Sequence, residues 1–151
     1  MDQENPYQSP TAVSTAYEVP EVGPFPLATQ GQRFINYLLD QAICIGLAFM
    51  VGIGFAWFGA TEIIERIPGF VFGSIIVLLY YIPQEALLNR TLGKLATGTK
   101  AVRADGKPMT FGQVLGRTFA RMIPFEPFSF LGSKPIGWHD NLSGTRVVQI
   151  R

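Results

Sequence analysis

Nineteen consecutive residues, Ala42–Ala60, carry no charge, and a second largely apolar run, Gly69–Leu88, follows after only eight residues. A helix rises about 1.5 Å per residue and needs roughly 20 apolar residues to cross a hydrocarbon core of about 30 Å. The first run meets that length unaided, and the second meets it if Pro83, Gln84 and Glu85 are accommodated near one end. The chain therefore reads as a membrane protein with spans at about 35–60 and 69–88. Any ionisable residue inside such spans needs a partner or a role, because a charge in hydrocarbon is costly. Asp40 and Glu85 are the two in question.

The 151 residues have room for one domain, without internal repeats. Residues 1–29 contain Pro6, Pro10, Pro20, Pro24 and Pro26 and show no apolar periodicity, so they read as a disordered tail ahead of a membrane domain at 30–151. Charge is segregated along the chain. The tail holds Asp2, Glu4, Glu18 and Glu21 and no Lys or Arg, whereas Arg90 to Arg121 holds seven basic residues and one acid. The terminus has neither a basic n-region nor an apolar h-region, so the first span is expected to serve as the insertion signal. A single cysteine, Cys44, excludes an internal disulfide and any multi-cysteine metal site.

The loop Thr61–Pro68 is short enough to turn the second span back against the first, which makes a helical hairpin. Basic residues mark the cytoplasmic flanks of spans. Arg66 is alone in the loop, while Arg33 precedes the hairpin and Arg90, Lys94, Lys100 and Arg103 follow it. Both termini are expected in the cytoplasm. Beyond the hairpin, Asp105-Gly106 suits a tight turn. Thr110 and Gln113 have capping-box spacing, and Phe111, Val114, Leu115, Thr118, Phe119 and Met122 follow one face of a helix of about thirteen residues, too short to span and suited to the membrane surface or the side of the hairpin. Arg117 and Arg121 point the other way and are candidates for binding anionic lipid or a partner protein. Ile123–Trp138, broken by Pro124, Pro127 and Pro135, reads as an interfacial or re-entrant stretch, with Trp138 suited to the headgroup level. Thr145–Arg151 is strand-like and could pair with the Ala101 region. The predicted fold class is an all-α membrane protein: a two-helix transmembrane hairpin, a cytoplasmic-face amphipathic helix and the proline-rich segment.

Arg33 and Asp40 lie seven residues apart, close to two helical turns, and so share a face with Asn36, Tyr37 and Cys44. They predict either an ion pair that fixes helix packing or a proton or cation site. Glu85, at a similar depth, could share Arg33, Arg117 or Arg121 as partner. Small residues at Ala48, Gly52 and Ala56, at Gly69 and Gly73, and at Gly112, Gly116 and Ala120 predict close helix contacts and raise the expectation of a homo-oligomer. Thr91-Leu92-Gly93-Lys94 resembles the end of a phosphate loop, but the preceding glycine is missing and Leu95 stands where Ser or Thr is needed. His139, the chain's one histidine, cannot supply a metal site, and it reads as part of a local turn with Asp140, Asn141 and Ser143. No nucleophile stands beside a base. The expectation is therefore a protein that is not an enzyme, with no cofactor, no metal and no nucleic-acid partner.

Taken together, Gln30 to Ile150 resembles the RDD family of small bacterial membrane proteins, named for one arginine and two aspartates. Arg33 and Asp40 match the first two positions, and Asp140, within Gly137-Trp138-His139-Asp140-Asn141-Leu142-Ser143-Gly144-Thr145-Arg146, matches the third. Tyr80-Tyr81 with Glu85, Arg90-Thr91-Leu92-Gly93-Lys94 and Asp105-Gly106 also stand where that family has similar residues. The resemblance implies a multi-pass protein of the bacterial inner membrane that takes part in transport, with cation–proton exchange proposed for some members. Two spans cannot easily enclose a pathway, so transport implies an oligomer. The rival expectation is a non-transporting scaffold that binds anionic lipid or a membrane protein.

Overall fold

Thr29 and Gln32 start the first long helix by satisfying each other's backbone donors. In the computed structural model, which describes residues 21–131 and 135–150, the Thr29 hydroxyl accepts from Gln32 N at 3.2 Å and the Gln32 amide oxygen accepts from Thr29 N at 2.9 Å. Helix α1 then runs Gln30–Trp57. The chain turns at Gly59, whose φ of +69° suits a residue without Cβ, passes one helical turn α2 (Thr61–Glu65), and returns as α3 (Gly69–Leu88). At about 1.5 Å per residue, α3 is about 30 Å long and α1 about 42 Å. Both are long and apolar enough to cross a membrane. In their most apolar windows only 11% and 22% of residues are buried, which is unlike the core helices of a water-soluble fold.

The hairpin closes through Cys44 of α1 against Ile76, Tyr80 and Tyr81 of α3. Among the described residues the close approach expected at Gly52, Gly69 and Gly73 is not made: a Cβ at any of them would meet nothing within 4 Å. Helix α3 continues through Pro83 to Leu88. Gln84 ties its end to the start of the next helix, donating to Tyr80 O at 2.8 Å and accepting from Leu92 N at 3.0 Å. Asn89, left-handed at φ 54°, ends the helix.

After α3 the chain builds a cap on the open end of the hairpin: α4 (Leu92–Ala96), β3 (Thr99–Arg103), α5 (Phe111–Ala120), a 3₁₀ turn (Glu126–Leu131), α6 (Trp138–Ser143) and β4 (Thr145–Gln149). The expected pairing of the C-terminal strand is present, with β3 and β4 antiparallel and Ala101 opposite Val147. The fold is therefore mostly helical rather than all-α. Residues 21–29, expected in the tail, are part of it. β1 (Glu21–Val22) and β2 (Phe25–Pro26) form a small hairpin turned by Gly23, and Ala28 N donates to Val147 O at 2.8 Å. Val22 and Leu27 fill a core with Val102 and Val148. Leu27 and Ala28 are the apolar signal that a proline-rich composition hid. The remainder of the expected tail, residues 1–20, lies outside the described residues.

Helix α5 has its capping box, Thr110 with Gln113, but its expected apolar face is divided between inside and outside, and the arginines expected to point away from it are turned inward. Val114, Arg117 and Thr118 are buried against the hairpin, while Phe111 and Phe119 face outward. Arg121 is also turned inward, over the Tyr81 ring at 4.2 Å from its centroid. The arginines follow the carboxylates below them rather than any solvent above.

Candidate functional site

One face of α1 contributes Arg33, Asn36 and Asp40, all buried. Their shared face was legible from spacing, but the expected Arg33–Asp40 pair does not form. Seven residues separate them by about 10 Å along the axis, and each has a nearer partner. Asp40 accepts from the Tyr80 hydroxyl at 2.7 Å, the Thr91 hydroxyl at 2.6 Å and Gly93 N at 2.9 Å. The Thr91–Lys94 segment that resembled a phosphate loop thus opens α4 against a carboxylate of the chain itself. A Cβ on Gly93 would lie 2.6 Å from Asn36 O and 2.8 Å from Asp40 Oδ1, so only glycine lets α4 come this close to α1. The Asn36 amide sits between the Thr97 and Thr99 hydroxyls, 3.0 Å from the latter.

Arg33 instead pairs with Asp140, brought from the N-terminus of α6. Asp140 also takes Arg117 Nη1 at 2.6 Å. Glu85 is enclosed by three cations: Lys94 Nζ at 3.0 Å, Arg117 Nε at 3.3 Å and Arg121 Nη2 at 2.6 Å. Arg117, fully buried, therefore bridges Glu85 and Asp140 and also donates to the Thr145 hydroxyl, while its Nη2 has no hydrogen-bond partner among the described residues. Of the expected partners of Glu85, Arg117 and Arg121 are present and Arg33 is not. Burial of Arg117 and Arg121 under α5 removes them from the lipid or partner surface assigned to them from sequence.

His139 completes the cluster. Its Nδ1 meets Glu126 of the 3₁₀ turn, and its Nε2 lies 3.4 Å from Arg33 Nη2. Burial pushes its pKa down to about 4 against the opposing pull of Asp140 and Glu126, so the ring is neutral at pH 7. With the proton on Nδ1 donated to Glu126, Nε2 is free to accept from Arg33. Burial works to raise the carboxyls of Asp140 and Glu126. Arg33 outweighs it at Asp140 and holds that group well below the usual range, and the His139 hydrogen bond outweighs it at Glu126. Burial also lowers Lys94, opposed chiefly by Glu85, and Glu85 overcomes burial at Arg121 and raises it.

Beside this network is a cavity of about 90 Å³, lined by Arg33, Tyr37, Asp40, Lys94, Tyr81, Arg121, Glu126 and His139 among others. Glu126 spends Oε1 on His139 and the Ser129 hydroxyl, and among the described residues its Oε2 has no hydrogen bond. No cluster of three or more His, Cys, Asp or Glu side chains able to hold a metal occurs among the described residues.

All six residues singled out from sequence, Arg33, Asp40, Glu85, Arg117, Arg121 and Asp140, line this one buried cluster. Lys94, Glu126 and the outward-reaching role of His139 were missed. Lys94 follows Glu85 by nine residues across a helix break, and Glu126 sits in a proline-broken segment, so no periodicity marks either. A model of the RDD family matches residues 27–142, most of the chain. No curated protein and no solved structure matches it.

Proposed function

The chain belongs to the RDD family of membrane proteins, and from that premise we propose that it exchanges a cation for a proton across the bacterial inner membrane, working as an oligomer with both termini in the cytoplasm. The observation that carries this reading is Glu126, a buried carboxylate with one oxygen uncommitted among the described residues, in a cavity at the end of two membrane-length helices and beside a neutral histidine. Glu85 and Asp140 are poor carriers, since each is bracketed by cations and gains nothing from taking a proton. Their role is to hold the cavity's walls.

In this scheme a cation binds at Glu126 Oε2. Protonation of His139 at Nε2 then adds a positive charge next to it and expels the cation, and loss of the proton restores the site. Burial is the largest cause of the histidine's low pKa, so hydration of the cavity in an open conformation returns it toward 6.5, and closing releases the proton. The groove along α1, lined by Ala48, Gly52 and Ala56, supports a second copy of the chain completing the pathway.

The test is proton movement in vesicles containing the purified full-length protein, driven by Na⁺, K⁺ or Li⁺ gradients. Glu126→Gln and His139→Gln are expected to abolish it while the protein remains folded and inserted. Wild-type flux in a folded Glu126→Gln protein would sink the assignment. The second reading, a scaffold, is favoured by the β3–β4 ladder, where Lys100, Arg103 and Arg146 are partly exposed and each is worth about 1 kcal/mol near anionic lipid. No flux under any of the three gradients, with salt-sensitive binding to anionic vesicles, would establish that reading instead.

A further inference from the structure

We infer that the cap is immersed in the bilayer's interfacial zone, with the outward side chains of α4 and α5 against acyl chains and their charges sealed inward. This holds whichever function is correct, since it rests on depth and on which way the side chains face.

Depth comes first. Helix α3 is about as long as the hydrocarbon core is thick, about 30 Å, so its end at Leu88 lies near the boundary. Glu85 is about one turn inside that boundary, and α5 is pinned to it by Arg117 and Arg121 at 3.3 and 2.6 Å. A helix about 10 Å across, held at that level, cannot stand clear of an interfacial zone that begins at the boundary. Facing comes second. The buried side of α5 carries Val114, Arg117, Thr118 and Ala120, with Arg121 turned toward Glu85 at its end, and its outer side carries Phe111 and Phe119, at 61% and 55% exposure. Leu92 and Leu95 of α4 and Phe128 of the 3₁₀ turn are likewise outward and exposed. A helix at an aqueous surface turns its arginines out and its phenylalanines in, and exposed apolar surface of this kind marks a contact with something apolar. The β3–β4 ladder of the same cap buries Thr99, Ala101, Val102, Val147 and Val148 and leaves Lys100, Arg103 and Arg146 partly exposed. The cap is thus apolar where it flanks the hairpin and basic on its sheet. A leaflet is the partner that fits both sides, with acyl chains at the level of α5 and headgroups at the sheet.

Single-tryptophan proteins test this directly. In a Trp57→Phe, Trp138→Phe background, Phe111→Trp and Phe119→Trp change exposed aromatic side chains and leave the buried network untouched, and Lys107→Trp provides an aqueous control. In vesicles of brominated phosphatidylcholine and phosphatidylglycerol, the probes at 111 and 119 are expected to lose most of their emission and to resist aqueous acrylamide, and the probe at 107 to do the opposite. Acrylamide quenching at 111 and 119 without an effect of bromine would place α5 in water and overturn the inference. Protection from both quenchers would mean that a second copy covers α5, which overturns it equally. Leu92→Trp repeats the measurement on α4 if either α5 variant fails to insert.

Discussion

His139 is a neutral ring among charges, and its neutrality has a measurable consequence. The unfolded chain takes up this proton below about 6.5, whereas the folded protein does so only near 4. The unfolded state therefore binds more protons across that window, and stability falls as the pH falls through it. The gap from 6.5 to about 4 corresponds to about 3 kcal/mol. Asp140 and Glu126, both held low, add a further loss once the pH drops below their ordinary range. In detergent, the melting temperature is expected to decline from pH 6.5 to pH 4.5, and His139→Gln is expected to flatten that decline while leaving the steeper loss at lower pH. An unchanged slope in the variant would mean that the folded protein already admits a proton at this ring. Gly93 shows a different single-residue constraint. It has ordinary helical surroundings in sequence, yet its missing side chain is what lets Asp40 reach a backbone N–H.

Among the elements, α1 and α6 are joined by Arg33 and Asp140 and α3 and α5 by Glu85 with two arginines, so single and double substitutions should separate these links. Arg33→Ala and Asp140→Ala each leave a buried charge without its partner, at a cost on the order of 3–5 kcal/mol. The double variant is expected to lose clearly less than the sum, whereas Arg33→Ala with Asp40→Ala should be near additive. Additivity for Arg33 and Asp140 in denaturation in mixed micelles would show that the pair is not coupled. This geometry also explains what could be read from the chain. The two spans were legible because lipid leaves long apolar runs in sequence, and the α5 start was legible because Thr110 and Gln113 are a local signal. The face that Arg33, Asn36 and Asp40 share followed from helical spacing. Which acid met which base did not, since that depends on contacts such as Arg33 to Asp140, 107 residues apart. For α5, spacing left the apolar face between the membrane surface and the side of the hairpin, and it misplaced the arginines outward, because the carboxylates that draw them in lie on other elements.

For the whole molecule, the hairpin and its cap define one end where the charges gather and another, around α2, where Glu62 and Arg66 pair in the open. The excess of basic residues at the cap end predicts that end to be cytoplasmic. Compartment-sensitive reporters at the N-terminus, in the Thr61–Pro68 loop and at the C-terminus are expected to place the loop alone outside. An external C-terminus would require Ile123–Trp138 to cross the membrane and would dismantle the cap as described. The bridge between Arg33 and Asp140 also bears on how such a protein is made. The arginine is synthesised first, in the earlier of the two membrane-length helices, and its aspartate follows 107 residues later. Until then Arg33 has to stay hydrated at the surface, which keeps α1 from settling to its final depth. Arrival of α6 releases that restraint, so a segment made long after α1 acts as the clasp that seats it.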